Sequence, residues 1–260
     1  MKLGLVTYNI ARDWDVGTII DRCQAAGFQA VQLRTQHRHG VEVALTPGER
    51  AEVKRRFAES DIQEISLGST CEYHSLDANE VKSQVETTKR FVELAADIGA
   101  VGVKVRPNGL QEAAGVPKEK TLDQIGLALR ECGEFADEYP VSIWVEVHGP
   151  DTMHPPNIHH IMKTADHPKV GVCWNSNATD VVDGSVSEYF SLLKPWMQSV
   201  HITELTNPAY PWRELFRLLR ESDYAGYCLA ELPYESAEPE RFLSYYAALW
   251  RELNRPAADE

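Results

Sequence analysis

Short apolar runs that read as β-strands alternate with longer amphipathic stretches that read as helices, and the pair recurs roughly every thirty residues along the chain. That rhythm belongs to parallel strands joined by helical crossovers, because antiparallel hairpins would need only tight turns between strands. Eight units are present. Strands are expected near residues 3–8, 30–34, 62–67, 101–106, 141–147, 170–174, 199–202 and 227–231. The first helix is expected over 16–26, stopped by Gly27, and the second starts at Thr46-Pro47, an N-cap followed by a proline at the first helical position. The third covers about 79–98, with Val85, Phe91, Val92, Ala95 and Ile98 on one stripe and Gly99 behind it. Later helices fall near 122–138, 158–164, 186–197, 212–221 and 239–253, and only the tail 256–260 reads as frayed. Eight such units predict an α/β protein, a single-domain (β/α)₈ barrel over residues 1–260, for which this length is ordinary. The alternative, a doubly wound open sheet, would gather function at one switch point, and no GxGxxG follows the first strand.

Polar residues close four of the later strands: Glu146 in VSIWVEVHG, Asn175 in KVGVCWNSN, His201 in SVHITE and Glu231 in YCLAELP. Their apolar neighbours alternate with them. Val145 and Val147, Val172 and Trp174, Val200 and Ile202, and Cys228 and Ala230 take one face, so the four polar side chains take the other. In a closed parallel barrel that second face points at the axis, and the four would meet at the C-terminal rim. Two carboxylates, an imidazole and an amide carbonyl form a donor set for a divalent metal ion such as Mn, Mg, Co or Zn. A metal chelating a sugar's carbonyl and adjacent hydroxyl acidifies the C–H between them, and Glu146 and Glu231, facing one another, would remove and return the proton. Taken singly, each of the four also reads as a solvated strand end; shared parity is what joins them.

Other residues share the inward parity. Lys104 and Arg106 in VGVKVRPN alternate with valines, and a charge on the axial side needs a partner, either a substrate phosphate or carboxylate or the nearby glutamates. Arg34 ends the second strand on the parity of Gln32 and is a candidate substrate contact, binding an anion or pairing internally like Lys104 and Arg106; His37 and His39 follow in the loop. His37 is read equally as a substrate contact or a loop residue, and His39 as an exposed loop residue. His148 shares the face of Glu146, and Asn9 ends the first strand; both are expected to contact substrate. Trp14 reads as core, His154, His159 and His160 do not read as a second metal site, and Tyr210, Trp212 and Tyr234 read as exposed aromatics of a subunit contact or a site wall.

A formal net charge of −13 argues against a general nucleic-acid binder, which must neutralise phosphates with Lys and Arg. The chain starts without an apolar signal segment and has no run long enough to span a bilayer, so a cytoplasmic protein without a membrane partner is expected. Five cysteines without CxxC spacing read as small buried hydrophobes of a reducing compartment. The expected partner is a small sugar-like molecule, and a homo-oligomer is left open.

These residues make the chain resemble the xylose isomerase-like TIM-barrel superfamily, in its sugar phosphate isomerase/epimerase branch, over nearly its whole length. The resemblance implies a metal-binding Glu, Asp, His and Glu after the fifth to eighth strands. Glu146 in EVHG, His201 in VHIT and Glu231 in AELP match, and the two glutamates would also be the acid and base. Asn175 stands where aspartate is usual, Ala178 replaces a frequent histidine, and Thr203 a frequent lysine. Asparagine keeps one carbonyl ligand but removes a negative charge, so a weaker or more selective metal site is expected. The implied activity is isomerisation or epimerisation of a small sugar, keto-sugar, sugar phosphate or cyclitol. A lyase of the inosose dehydratase type, with His148 or Lys104 protonating the leaving hydroxyl, and a non-catalytic sugar-binding barrel are the alternatives. An apurinic-site endonuclease would need more rim histidines and a basic strip.

Overall fold

Eight parallel strands pair in chain order and the last returns to the first, closing a barrel. The computed structural model describes residues 1–256, so the fray expected beyond Pro256 lies outside the described residues. The strands are β1 (Lys2–Val6), β2 (Ala30–Arg34), β3 (Glu64–Glu72), β4 (Gly102–Arg106), β5 (Ser142–Glu146), β6 (Val170–Trp174), β7 (Met197–Ile202) and β8 (Tyr227–Ala230). The helices between and after them are α1 (Val16–Ala26), α2 (Pro47–Ala58), α3 (Ala78–Ile98), α4 (Lys118–Ala136), α5 (Pro155–Ala165), α6 (Ser187–Leu193), α7 (Trp212–Glu221) and α8 (Pro239–Leu253).

Local chemistry sets the helix ends. Asp15 accepts the Thr18 N–H at 2.8 Å to open α1, and Gly27 closes it with φ of 79°. Thr46 and Glu49 form a reciprocal capping box at α2. Two of the boundaries that depart from expectation have a clear local cause. β3 continues past residue 67 to Glu72, because its polar end still pairs with β4 across a register shift. α6 stops early, since Pro195 lacks an N–H and the chain tightens into a 3₁₀ turn over Lys194–Trp196.

The main core lies between strands and helices, where the residues of outward parity, Val145, Val172, Trp174, Val200 and Ile202 among them, are fully buried. A smaller apolar cluster of Val6, Ala30, Tyr227 and Leu229 fills the inside of the barrel. Trp144 also lies inside and donates its indole N–H to Gln198 at 2.9 Å. Gly102 leaves room for it, as a Cβ there would stand 2.3 Å from the Trp144 ring. Gly102→Ala is therefore expected to cost about 1–3 kcal/mol of overpacking. A denaturant midpoint equal to wild type would contradict this packing.

Aromatic residues expected at the surface turn inward. Tyr210 and Trp212 are buried, because the segment after β7 folds back onto the barrel and stacks them with centroids 4.4 Å apart. Tyr234 is half-buried and donates to Glu204 at 2.8 Å. His39, expected as an exposed loop residue, is buried as a staple: its Nε2 meets the Arg34 carbonyl at 2.8 Å and its Nδ1 accepts the Val41 N–H at 3.0 Å. Trp14 is buried, as expected, with Arg22 4.4 Å over its ring. All five cysteines are buried and free of disulfides, and no helix among the described residues is long and apolar enough to cross a membrane.

Candidate active site

Closure of the barrel brings the ends of β5, β6, β7 and β8 together. His201 Nδ1 lies 3.3 Å from Glu146 Oε1 and 3.5 Å from Glu231 Oε2, and Asn175 Nδ2 lies 3.4 Å from Glu146 Oε1. Glu146 and His201 are buried, whereas the Glu231 side chain is 16% exposed toward the opening. Gln32 on β2 reaches across the barrel to His201. Its amide nitrogen donates to Ser66 Oγ at 3.3 Å, so its Oε1 accepts the His201 Nε2–H at 3.0 Å. That bond turns Nδ1 toward the carboxylates, an outer support of the kind that orients metal-bound imidazoles.

Nδ1 of His201 and Oδ1 of Asn175 are both buried without a hydrogen-bond partner. One atom each of Glu146, His201 and Glu231 lies within 4.8 Å of the others, and no second such cluster occurs among the described residues. This space requires positive charge. Burial opposes a charge on His201, but Cys173, Glu231 and Glu146 together raise its pKa well above the ordinary imidazole value. A proton on Nδ1 or a divalent ion would meet that demand, and the orphaned Asn175 carbonyl fits the ion, because a proton on Nδ1 leaves it unsatisfied.

Lys104 takes the internal ion pair, with Nζ 2.7 Å from Glu146 Oε2 and both side chains buried. Oε1 of the same carboxylate remains for the central space. Burial raises the Glu146 pKa, but Lys104 and His201 more than reverse this and hold it below the usual carboxylate range.

Above these residues opens a pocket of about 390 Å³, walled by Tyr8, Arg34, Arg106, His148 and Asn177 and floored by the carboxylates. Arg106 pairs with Glu72 at the end of β3. Asn108 donates its amide to the same Glu72 oxygen at 2.7 Å, leaving its Oδ1 to accept His148 Nδ1–H at 2.8 Å. Burial lowers the His148 pKa, with Glu146 pulling the other way. His148 is therefore a neutral ring whose Nε2 carries the free lone pair. Gly149 permits the contact: its φ is 90°, and a Cβ would lie 2.5 Å from Asn108 Cα.

Asn9 and His37 stand apart from this pocket. β1 ends at Val6, Asn9 starts a 3₁₀ turn, and its amide is spent on the Pro233 carbonyl at 2.7 Å and on accepting from Arg12 at 2.6 Å. His37 is half-buried beside His39, and burial brings its pKa down to about 4. His160 bonds Asp123 and His154 meets Tyr189, away from the carboxylate cluster. Tyr8 and Asn177 are pocket residues that the sequence does not single out, and it places Gln32 only by its parity with Arg34. Gln32 had a visible signal, a polar residue between Val31 and Leu33 within a strand, and Asn177 repeats the parity of Asn175.

Behind the β6 loop, buried Asp180 accepts the Asn177 N–H at 2.7 Å and the Tyr210 hydroxyl at 3.1 Å. Burial pushes its carboxyl up to about 8, against those two bonds. The native state then keeps a proton that the unfolded chain, near 3.8, has released. This contribution is complete below the unfolded value and is lost as pH rises through about 8, at up to about 1.4 kcal/mol per pH unit. Asp180→Asn is expected to flatten the stability curve across that window relative to wild type. Parallel curves by chemical denaturation would contradict the assignment.

The profile of the family described as "Xylose isomerase-like TIM barrel" matches residues 20–252. No curated protein matches the chain in sequence. Among solved structures, D-psicose 3-epimerase with D-tagatose from Clostridium cellulolyticum H10 superposes with a TM-score of 0.81 at 12% identity, over 98% of this chain and 100% of that one. 3-Keto-D-glucoside 4-epimerase from E. coli gives 0.79 at 14% identity, over 97% and 99%. The IolI protein with a bound zinc atom gives 0.77 at 16% identity, over 97% and 96%. At these identities the likeness is one of fold.

Proposed function

The chain belongs to the xylose isomerase-like TIM-barrel family, and on that premise we propose that it is a metal-dependent isomerase or epimerase of a small sugar, removing a proton beside a carbonyl and returning one to the neighbouring carbon or to the other face of the same carbon. The observation that carries this reading is the placement of Glu146 and Glu231 on either side of His201 Nδ1 at the floor of a sugar-sized pocket. Neighbouring folds named as sugar epimerases support it.

Glu146, Asn175, His201 and Glu231 would hold a divalent ion, Mn, Mg, Co or Zn, whose Lewis acidity would polarise the substrate carbonyl and acidify the adjacent C–H. The two carboxylates are not equivalent. Glu146 is kept ionised by Lys104 and is a weak base, whereas Glu231 has no lysine or arginine partner among the described residues and faces the opening. Glu231 would therefore take the proton, and the Lys104 ammonium, held beside the substrate by Glu146, would give one back from the other side, with solvent exchange resetting both groups. His148 Nε2 accepts a substrate hydroxyl and orients the sugar. As its Nδ1–H is committed to Asn108, His148 acts as an acceptor rather than an acid, which favours isomerisation over expulsion of water.

The test is incubation of metal-loaded protein with keto-sugars, their phosphates and inososes in D₂O, with products read by mass and NMR. Isomerisation is expected to give a product of the same formula with solvent deuterium at the exchanged carbon. A product lighter by one water would replace this reading with the lyase, and saturable binding without exchange for any metal would replace it with a binding role.

A further inference from the structure

Three cations line the pocket, and two of them have carboxylate partners: Lys104 with Glu146, and Arg106 with Glu72. The third, Arg34 at the end of β2, donates to the Thr35 carbonyl at 3.1 Å and has no ion-pair partner among the described residues. It is half-buried. Burial and the like charge of Arg106 lower its pKa, and Glu146 and Glu231 act only as more distant attractions. An arginine held in a low-exposure wall beside a second arginine is a costly arrangement unless an anion joins them.

The strand between them carries no side chain at the level of Arg34. Gly68 on β3 is in register with Arg34 on β2 and with Lys104 on β4. A Cβ at this position would stand 3.3 Å from Gln32 Oε1 and 3.4 Å from Arg34 Cα, so a side chain there would crowd the base of Arg34. Charge balance points the same way. Arg34, Lys104 and Arg106 offset Glu72, Glu146 and Glu231, so a divalent ion would leave the pocket with a surplus of two positive charges that a neutral sugar does not meet.

We infer that the substrate is an anionic sugar whose carboxylate or phosphate monoester is gripped by Arg34, with Arg106 beside it. The inference rests on the isomerase reading only in placing the substrate in the same pocket. A planar guanidinium fork suits either anion, and both sources share the chemistry of adjacent anionic oxygens.

The test is isothermal titration of wild type, Arg34→Gln and Arg34→Lys with D-glucuronate, D-fructose 6-phosphate and D-fructose, in chelator-treated and Mn²⁺-loaded protein. Wild type is expected to bind at least one anion about tenfold or more tighter than D-fructose. The preferred anion tells a carboxylate from a phosphate substrate. Arg34→Gln is expected to bring that ratio to within about twofold, and Arg34→Lys to keep part of it, because the charge remains while the fork is lost. Equal affinity for D-fructose, an anion preference that survives in Arg34→Gln, or no response to either anion would each overturn the inference. Preference for an anion in protein that catalyses no exchange would keep it and overturn only the isomerase reading.

Discussion

Glu231→Gln is expected to lower turnover by about 10²–10⁴-fold at saturating metal, the usual contribution of a positioned general base. The side chain stands just past β8, where its own N–H bonds the Ile202 carbonyl at 2.9 Å and fixes it in the strand ladder. An amide keeps this shape but cannot take a proton. It also removes one of the two negative ligands, so metal affinity falls as well, and rates must be compared at metal concentrations that saturate each protein. As Glu231 is partly exposed and has no buried lysine or arginine partner, the variant is expected to fold normally. Near wild-type turnover in Glu231→Gln would remove the base from the mechanism.

Lys104→Met is expected to destabilise the metal-free protein by about 3–5 kcal/mol, since it breaks the buried ion pair and leaves Glu146 Oε2 without its cation. The same change is expected to cost clearly less in the metal-loaded protein, where the ion compensates Glu146 from its other oxygen. By linkage the variant then binds the metal more tightly than wild type, because the metal-free state has lost more than the loaded one. Denaturant unfolding with and without metal measures both. Equal losses in the two states would mean that Glu146 does not share its charge between Lys104 and an ion.

The barrel was legible because each unit carries its own signals: apolar alternation in the strands, Thr46-Pro47 opening a helix, Gly27 and Gly99 closing others. The inward parity of Glu146, Asn175, His201 and Glu231 could be read from their valine, tryptophan and isoleucine neighbours, and closure does the rest. Partnerships across the barrel could not be read. Lys104 meets Glu146 from 42 residues away and Gln32 meets His201 from 169 away, so only the assembled register shows which of several polar residues touch. The end of β1 misleads for a local reason: the backbone at Tyr8 leaves the strand conformation, with φ −69° and ψ −135°, which places Tyr8 on the pocket and spends Asn9 on a turn. Tyr210 and Trp212 misled because polar and proline-rich flanks look like a surface loop, while the aromatic rings pack inward.

The proposed function rests on one divalent ion held by Glu146, Asn175, His201 and Glu231 at the floor of the pocket. Its most direct test is calorimetric titration of chelator-stripped protein with Mn²⁺ and with Zn²⁺, in buffers of different ionisation enthalpy. One ion per chain is predicted, with proton release on binding as the ion replaces the proton on His201, and with affinity sharply reduced in Glu231→Gln. Absence of binding for either ion, or binding unchanged in Glu231→Gln, would contradict the site.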